Sequence, residues 1–188
     1  MFIQTEPTPN PLTLKFLPGR VVMENGTAFY KDVSEASNSP LAKKIFIVDG
    51  VSGVFFGSDF ITVTKIEDLE WQVLKPAVLG AIMDHYNSGE EVIIQSSENK
   101  KSKSLQDNTN DSETVKQIKE LLDTRVRPAV AMDGGDIVFQ GFENGTVFLH
   151  MQGACSGCPS SAATLKMGIE NMLKHYVPEV KEVQQVDT

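Results

Sequence analysis

Residues 95–110, QSSENKKSKSLQDNTN, divide this 188-residue chain before any secondary structure is considered. Ser, Asn, Lys and Gln dominate the stretch, and Leu105 is its one large apolar side chain. Such a segment buries too little apolar surface to offset the entropy of ordering its backbone, so it reads as a flexible tether. The chain on either side must then close two separate small cores, one from residues 1–94 and one from residues 111–188. Net charge is −8, split −5, +1 and −4 over the three stretches, so neither half is basic. That balance argues against binding nucleic acid, which needs a positive surface. The longest apolar stretch, Ala77 to Met83, falls far short of the ~20 residues that span a bilayer, so no membrane is expected.

The first domain reads as mixed α and β. Leu12, Leu14 and Phe16 alternate with other residues between Pro11 and Pro18, as in a short strand. Residues 50–65 read as two strands around a turn at Gly57-Ser58-Asp59. Ser39-Pro40 opens a short helix with proline at its first position. From Asp68 to Tyr86, Val73, Leu74, Ala77, Val78, Ala81 and Ile82 recur at helical spacing, with Pro76 starting or kinking the second part. Trp71 is read as core, and His85 as a residue near the helix C-terminal dipole.

The second domain carries clearer signals. Asp111 or Ser112 caps a helix striped by Val115, Ile118, Leu121, Leu122 and Val126. Ile137 and Phe139 begin a strand, Asn144-Gly145 is a strong hairpin signal, and Val147, Leu149 and Met151 share a face of the returning strand. A helix from about Pro159 to Tyr176 places Leu165, Ile169, Met172, Leu173 and Tyr176 on one side. Val180, Val183 and Val186 then suit a last edge strand. The fold class expected is α+β: two small domains joined by a flexible linker. The second is a helix–strand–strand–helix–strand sandwich with its helices on one face of the sheet. His150 is read as a strand-end surface histidine and His175 as a late-helix one. Asp133 and Asp136, flanking Gly134-Gly135, read as a turn or helix stop. Lys100, Lys101 and Lys103 read as solvated linker.

The chemistry falls at Cys155-Ser156-Gly157-Cys158-Pro159, which holds both cysteines of the chain. Both thiols sit in the loop between the returning strand and the second long helix. Pro159 suits the first helical position, which places Cys158 at or near the cap, where free N–H groups and the helix dipole favour thiolate. Small residues around the sulfurs leave room for a bulky inorganic ligand. Tetrahedral zinc or an iron–sulfur cluster usually takes four protein ligands, and this loop supplies two sulfurs and no histidine. Two chains meeting about a two-fold axis would supply four thiolates at a site that opens when the chains part. At this point three other readings stay open: a thioredoxin-like dithiol enzyme, a zinc-bridged homodimer, and inert surface cysteines.

Several stretches resemble the Nfu proteins. In the second half these are Arg127-Pro128 to Asp136 (RPAVAMDGGD), Gly153 to Ser161 (GACSGCPSS) and the helix through MLKHYVPEV. In the first half they are Pro7 to Phe16 (PTPNPLTLKF), Phe55 to Lys65 (FFGSDFITVTK) and the helix with Trp71. The resemblance covers nearly the whole chain, in the family's order: residues 1–94 as Nfu N-terminal domain, 95–110 as linker, 111–188 as NifU-like cluster-binding domain. It implies a carrier or late scaffold rather than an enzyme. Such a carrier holds a [4Fe–4S] cluster, with [2Fe–2S] as the alternative, between two subunits on Cys155 and Cys158 of each. It passes the cluster from an upstream donor to client apo-proteins, and the first domain docks partners. The start, MFIQTEPTPNP, has no basic or apolar targeting region, so the resemblance implies a bacterial cytoplasmic member, or a mitochondrial matrix one whose presequence has been removed. A carrier should not catalyse reduction of insulin disulfides by dithiothreitol. Turnover in that assay, lost in Cys155→Ser, would favour the dithiol enzyme instead.

Overall fold

A computed structural model describes residues 2–94, 112–156 and 159–186, the side chains of 159–161 excepted. The expected tether, with Lys100, Lys101 and Lys103, lies outside the described residues, as do Asp111, Gly157 and Cys158. The chain divides into two compact units, Met1–Ser104 and Leu105–Thr188, and it is of mixed α+β class as the residue pattern predicts.

The first unit is built on a five-stranded sheet of order β1-β2-β5-β4-β3. Its strands are β1 (Gln4–Pro7), β2 (Thr13–Leu17), β3 (Ala28–Tyr30), β4 (Val51–Phe56) and β5 (Ile61–Lys65), every pairing antiparallel. The two edge strands were not legible in the sequence. One is polar and mostly exposed and the other is three residues long, so neither shows an alternating apolar face. Helix α1 (Pro40–Phe46) starts as expected: the Ser39 hydroxyl accepts the Ala42 N–H at 3.1 Å, and Pro40 occupies the first turn. Helix α2 (Trp71–Ser88) buries Leu74, Val78, Ile82 and His85 against Phe16, Ile45, Val54, Phe56, Ile61 and Val63. Each buried aliphatic residue of that stripe contributes roughly 1.5–3 kcal/mol. Pro76 sits inside α2 on an exposed position, where the carbonyl it cannot pair faces water. Trp71 is half-buried against this core, and its Nε1 donates to the Pro11 carbonyl at 3.1 Å.

Two expectations for α2 are corrected. Val73 is 70 % exposed; the buried stripe runs 74, 78, 82, 85, one step round the helix from it. His85 is fully buried, an extension of the core stripe rather than a surface group at the helix end. Among the described residues neither of its ring nitrogens has a hydrogen-bond partner. The nearest acid, Glu90, lies 3.9 Å from Nδ1 and is itself held by Lys44 at 2.6 Å.

The second unit places a helical run over a three-stranded sheet of order β6-β7-β8. The run comprises α3 (Glu113–Leu121), a π turn (Leu122–Val126) and α4 (Arg127–Met132). Ser112 caps it, its hydroxyl accepting the Val115 N–H at 3.4 Å. Pro128 cannot donate to the helical ladder, and the helix widens into the π turn just ahead of it. Strands β6 (Gly135–Glu143) and β7 (Thr146–Gly153) form the hairpin, with Asn144 and Gly145 at φ 52° and 90°, the left-handed pair such a turn requires. A bulge between Phe139 and Gly141 moves Phe142 onto the core face. Helix α5 (Pro159–Tyr176) and β8 (Glu182–Gln185), parallel to β7, complete the expected order. Ile118, Leu122, Val130, Ile137, Leu149, Met151, Ile169, Leu173 and Val183 share one core, so the helices lie on one face of the sheet. Tyr176 is 46 % exposed and Val177 takes the buried place beside it. His150 is buried rather than at the surface, its Nδ1 3.0 Å from the Val186 carbonyl, whereas His175 is exposed. Among the described residues no helix is long and apolar enough to cross a membrane.

Burial first, and Lys44 second, hold the His85 pKa below its ordinary 6.5, against a smaller opposing pull from Glu90. The unfolded chain therefore takes up that proton first as pH falls. The stability His85 allows is complete above ~7 and declines as pH drops below ~6.5. Urea unfolding followed by fluorescence of Trp71, the only tryptophan, should show this loss as pH falls below about 6.5. His85→Leu should flatten the profile in that window; an unchanged slope in the variant refutes the assignment.

Candidate metal centre

The site begins where β7 ends. Gly153, at φ 66°, turns the chain out of the sheet, and the Ser156 N–H closes the turn on the Gly153 carbonyl at 3.0 Å. A side chain at Gly153 would be strained at that φ, so the turn into the loop calls for glycine. The Ala154 N–H donates to the Gly134 carbonyl at 3.1 Å, so the loop is pinned across to the start of β6, where Gly135 pairs with Gly153.

Cys155 follows directly. It is 7 % exposed and packs into the core of the second unit. Its sulfur lies against Gly135: a Cβ built on that glycine would stand 2.7 Å from Sγ and 2.6 Å from the Gln152 carbonyl oxygen. Only a residue without a side chain leaves the thiol its place. Burial, then the carboxylates of Asp133 and Asp136, push the Cys155 pKa up to about 12. At neutral pH the group is a thiol, and a metal must displace its proton to use it as a ligand.

Asp136 is also buried, at 4 % exposure. Its oxygens accept from Arg127 Nε at 2.9 Å and Nη2 at 2.8 Å, a two-pronged pair, and Oδ1 also accepts the Ile137 N–H at 2.8 Å. Arg127 reaches back with Nη1 to Asp123 of the π turn at 3.2 Å. Hydrogen bonding to Asp136 is the main reason the Arg127 pKa rises above its ordinary value.

Of the two cysteines singled out by spacing, Cys155 stands in the loop at the expected junction, and Cys158 lies outside the described residues. Among the described residues no three of His, Cys, Asp and Glu are grouped to hold a metal ion. Asp136 corrects the reading of a mere turn: it is the buried end of an ion pair that residue spacing did not show. The usable signal was RPAVAMDGGD itself, where an arginine and an aspartate nine residues apart flank one short helix and a glycine pair.

Comparison with known proteins adds a chain-wide likeness. Residues 3–89 match the family description "Scaffold protein Nfu/NifU N terminal", and residues 118–184 match "NifU-like domain". NifU-like protein 4, mitochondrial, of Arabidopsis thaliana is 58 % identical over 98 % of this chain and 66 % of its own length. NifU-like protein 5, mitochondrial, of the same plant is 56 % identical over 98 % of this chain and 68 % of its own. The NFU1 iron-sulfur cluster scaffold homolog, mitochondrial, of Drosophila ananassae is 55 % identical over 99 % and 64 %. The chain thus spans about two thirds of the length of these relatives.

Asp136→Asn keeps the volume but replaces a charge-assisted pair by weak amide contacts, leaving the partly buried Arg127 with only the more exposed Asp123 as its anion. It should cost the second unit about 2–3 kcal/mol, read as a shift in a urea midpoint followed by amide signals of that unit. A shift under ~0.5 kcal/mol would show the pair to be a surface-type bridge of little weight.

Proposed function

The chain belongs to the Nfu/NifU scaffold protein family, and from that premise we propose that it is an iron–sulfur cluster carrier rather than an enzyme. The cluster is its cargo. Two chains hold one [4Fe–4S] unit through Cys155 and Cys158 of each, receive it from an upstream donor and yield it to client apo-proteins. The observation that carries this reading is the half-complete ligand set: one thiol seated in a glycine-walled turn at the end of β7, the second three positions further along the sequence, and no third or fourth ligand grouped with Cys155 among the described residues. Cys155 also runs against the dithiol alternative at that position, since its surroundings favour thiol over the thiolate an attacking group needs.

Transfer then follows as ligand exchange without net oxidation or reduction. A client cysteine loses its proton and forms an iron–sulfur bond; the bond from iron to Cys155 breaks, and that sulfur takes a proton back. An environment that favours the protonated form assists the second half of the exchange. The location proposed is the mitochondrial matrix, because the relatives above are mitochondrial by name. They lend no support to the bacterial cytoplasm expected from the residues.

Anaerobic reconstitution should give about four iron and four sulfide per pair of chains, and about two of each if the cargo is [2Fe–2S]. A colourless protein that stays monomeric after that treatment would refute the carrier. Cys155→Ser and Cys158→Ser should each abolish cluster binding, while the cluster-free chains still unfold cooperatively. Apparent affinity should fall by about tenfold per displaced proton for each unit drop in pH, and a pH-independent affinity between about 6 and 8 would contradict ligation by a protonated Cys155.

A further inference from the structure

We infer that Arg127 is a positioning residue for Cys155: its two-pronged grip on Asp136 fixes the Gly134–Asp136 rail against which the thiol and its loop are held. The inference rests on the reading of Cys155 as a cluster ligand and specifies how the chain keeps that ligand in place.

Three successive residues bear on the loop. The Gly134 carbonyl accepts the Ala154 N–H at 3.1 Å. Gly135 presents bare backbone to the sulfur, with room for nothing larger. Asp136 sets its carboxylate on Arg127 and the Ile137 N–H. A carboxylate gripped at both oxygens cannot swing, so the backbone next to it cannot slide along the strand. Arg127 does not reach the loop with any of these bonds; it acts through the rail. Its third nitrogen, on Asp123, ties the same side chain to the π turn, so contacts on the π turn and on β6 together hold it in one rotamer. A lysine would keep the charge beside Asp136 and lose the fork, because a single ammonium cannot engage both oxygens and Asp123 in that plane.

Charge and geometry therefore separate experimentally. In the full chain, cluster-free and reduced, the iodoacetamide alkylation rate of Cys155 is followed by peptide mass spectrometry, alongside hydrogen exchange of the Ala154 amide. In Arg127→Lys both rates should rise about tenfold through local opening, while unfolding remains cooperative. Gly135→Ala should move them in the same direction, because its new methyl meets Sγ and the Gln152 carbonyl inside contact distance. A purely structural Arg127 would lower stability and leave both local rates unchanged well below the melting temperature. Rates within about twofold of wild type in both variants overturn the positioning role. Reconstitution of the wild type keeps this apart from the carrier reading. Iron uptake by wild type with unresponsive variants sinks the positioning role alone. Faster alkylation in the variants with no iron in the wild type sinks the carrier, and leaves Arg127 as a device that shields a thiol.

Discussion

A carboxylate at 4 % exposure is the constraint around which the second unit is arranged. Leaving Asp136 charged and unpaired at that depth would cost several kcal/mol. The Arg127 fork and the Ile137 amide offset that cost, and in doing so they tie α4 and the π turn to the first residues of β6. Other ion pairs of this unit, Lys116 with Glu113 and Lys174 with Glu170, lie along single helices with their lysines in solvent, where such pairs are worth a few tenths of a kcal/mol. The Arg127 pair instead joins elements, as does the separate bond by which Glu170 accepts the Val183 N–H of β8 at 3.1 Å.

That joint also explains the neighbourhood of the thiol. A cysteine in an apolar core beside two acids is poorly suited to stay ionised without a cation on it. The bare backbone of Gly135 keeps the place open. Such a seat suits a ligand that is lent and withdrawn better than one that must trap metal and keep it, as a closed four-cysteine structural site does.

Much of this was legible in residue order. The Asn144-Gly145 turn, the Ser39-Pro40 and Ser112 helix starts, and the Val147, Leu149, Met151 face all follow from local rules that packing did not override. The misses share a cause. β1, polar and exposed, and β3, three residues long, are held by ladder bonds to β2 and β4 and carry no pattern of their own. His85 and His150 are polar residues in apolar positions, which periodicity counts cannot place. Val73 and Tyr176 sit one helical step from the buried stripe, a smaller difference than spacing resolves. At the site, Cys155 was legible because its spacing carries the chemistry. The Arg127–Asp136 grip was not, because it forms only once α4 has folded back on β6.

The parallel pairing of β8 with β7 sets a timetable. Thr146 meets Glu182 across an interval of 36 residues that includes the whole of α5, whereas the β6–β7 hairpin closes over two. Loop-closure entropy favours the short connection, so the hairpin can form early and β8 enters late. Cys155 lies inside that interval, and a nascent chain holds its thiol before β8 has joined the sheet beside it. Synthesis thus opens a brief window in which this sulfur, buried in the finished fold, meets the cellular milieu unsheltered, and its length is governed by translation speed rather than by any equilibrium of the finished molecule.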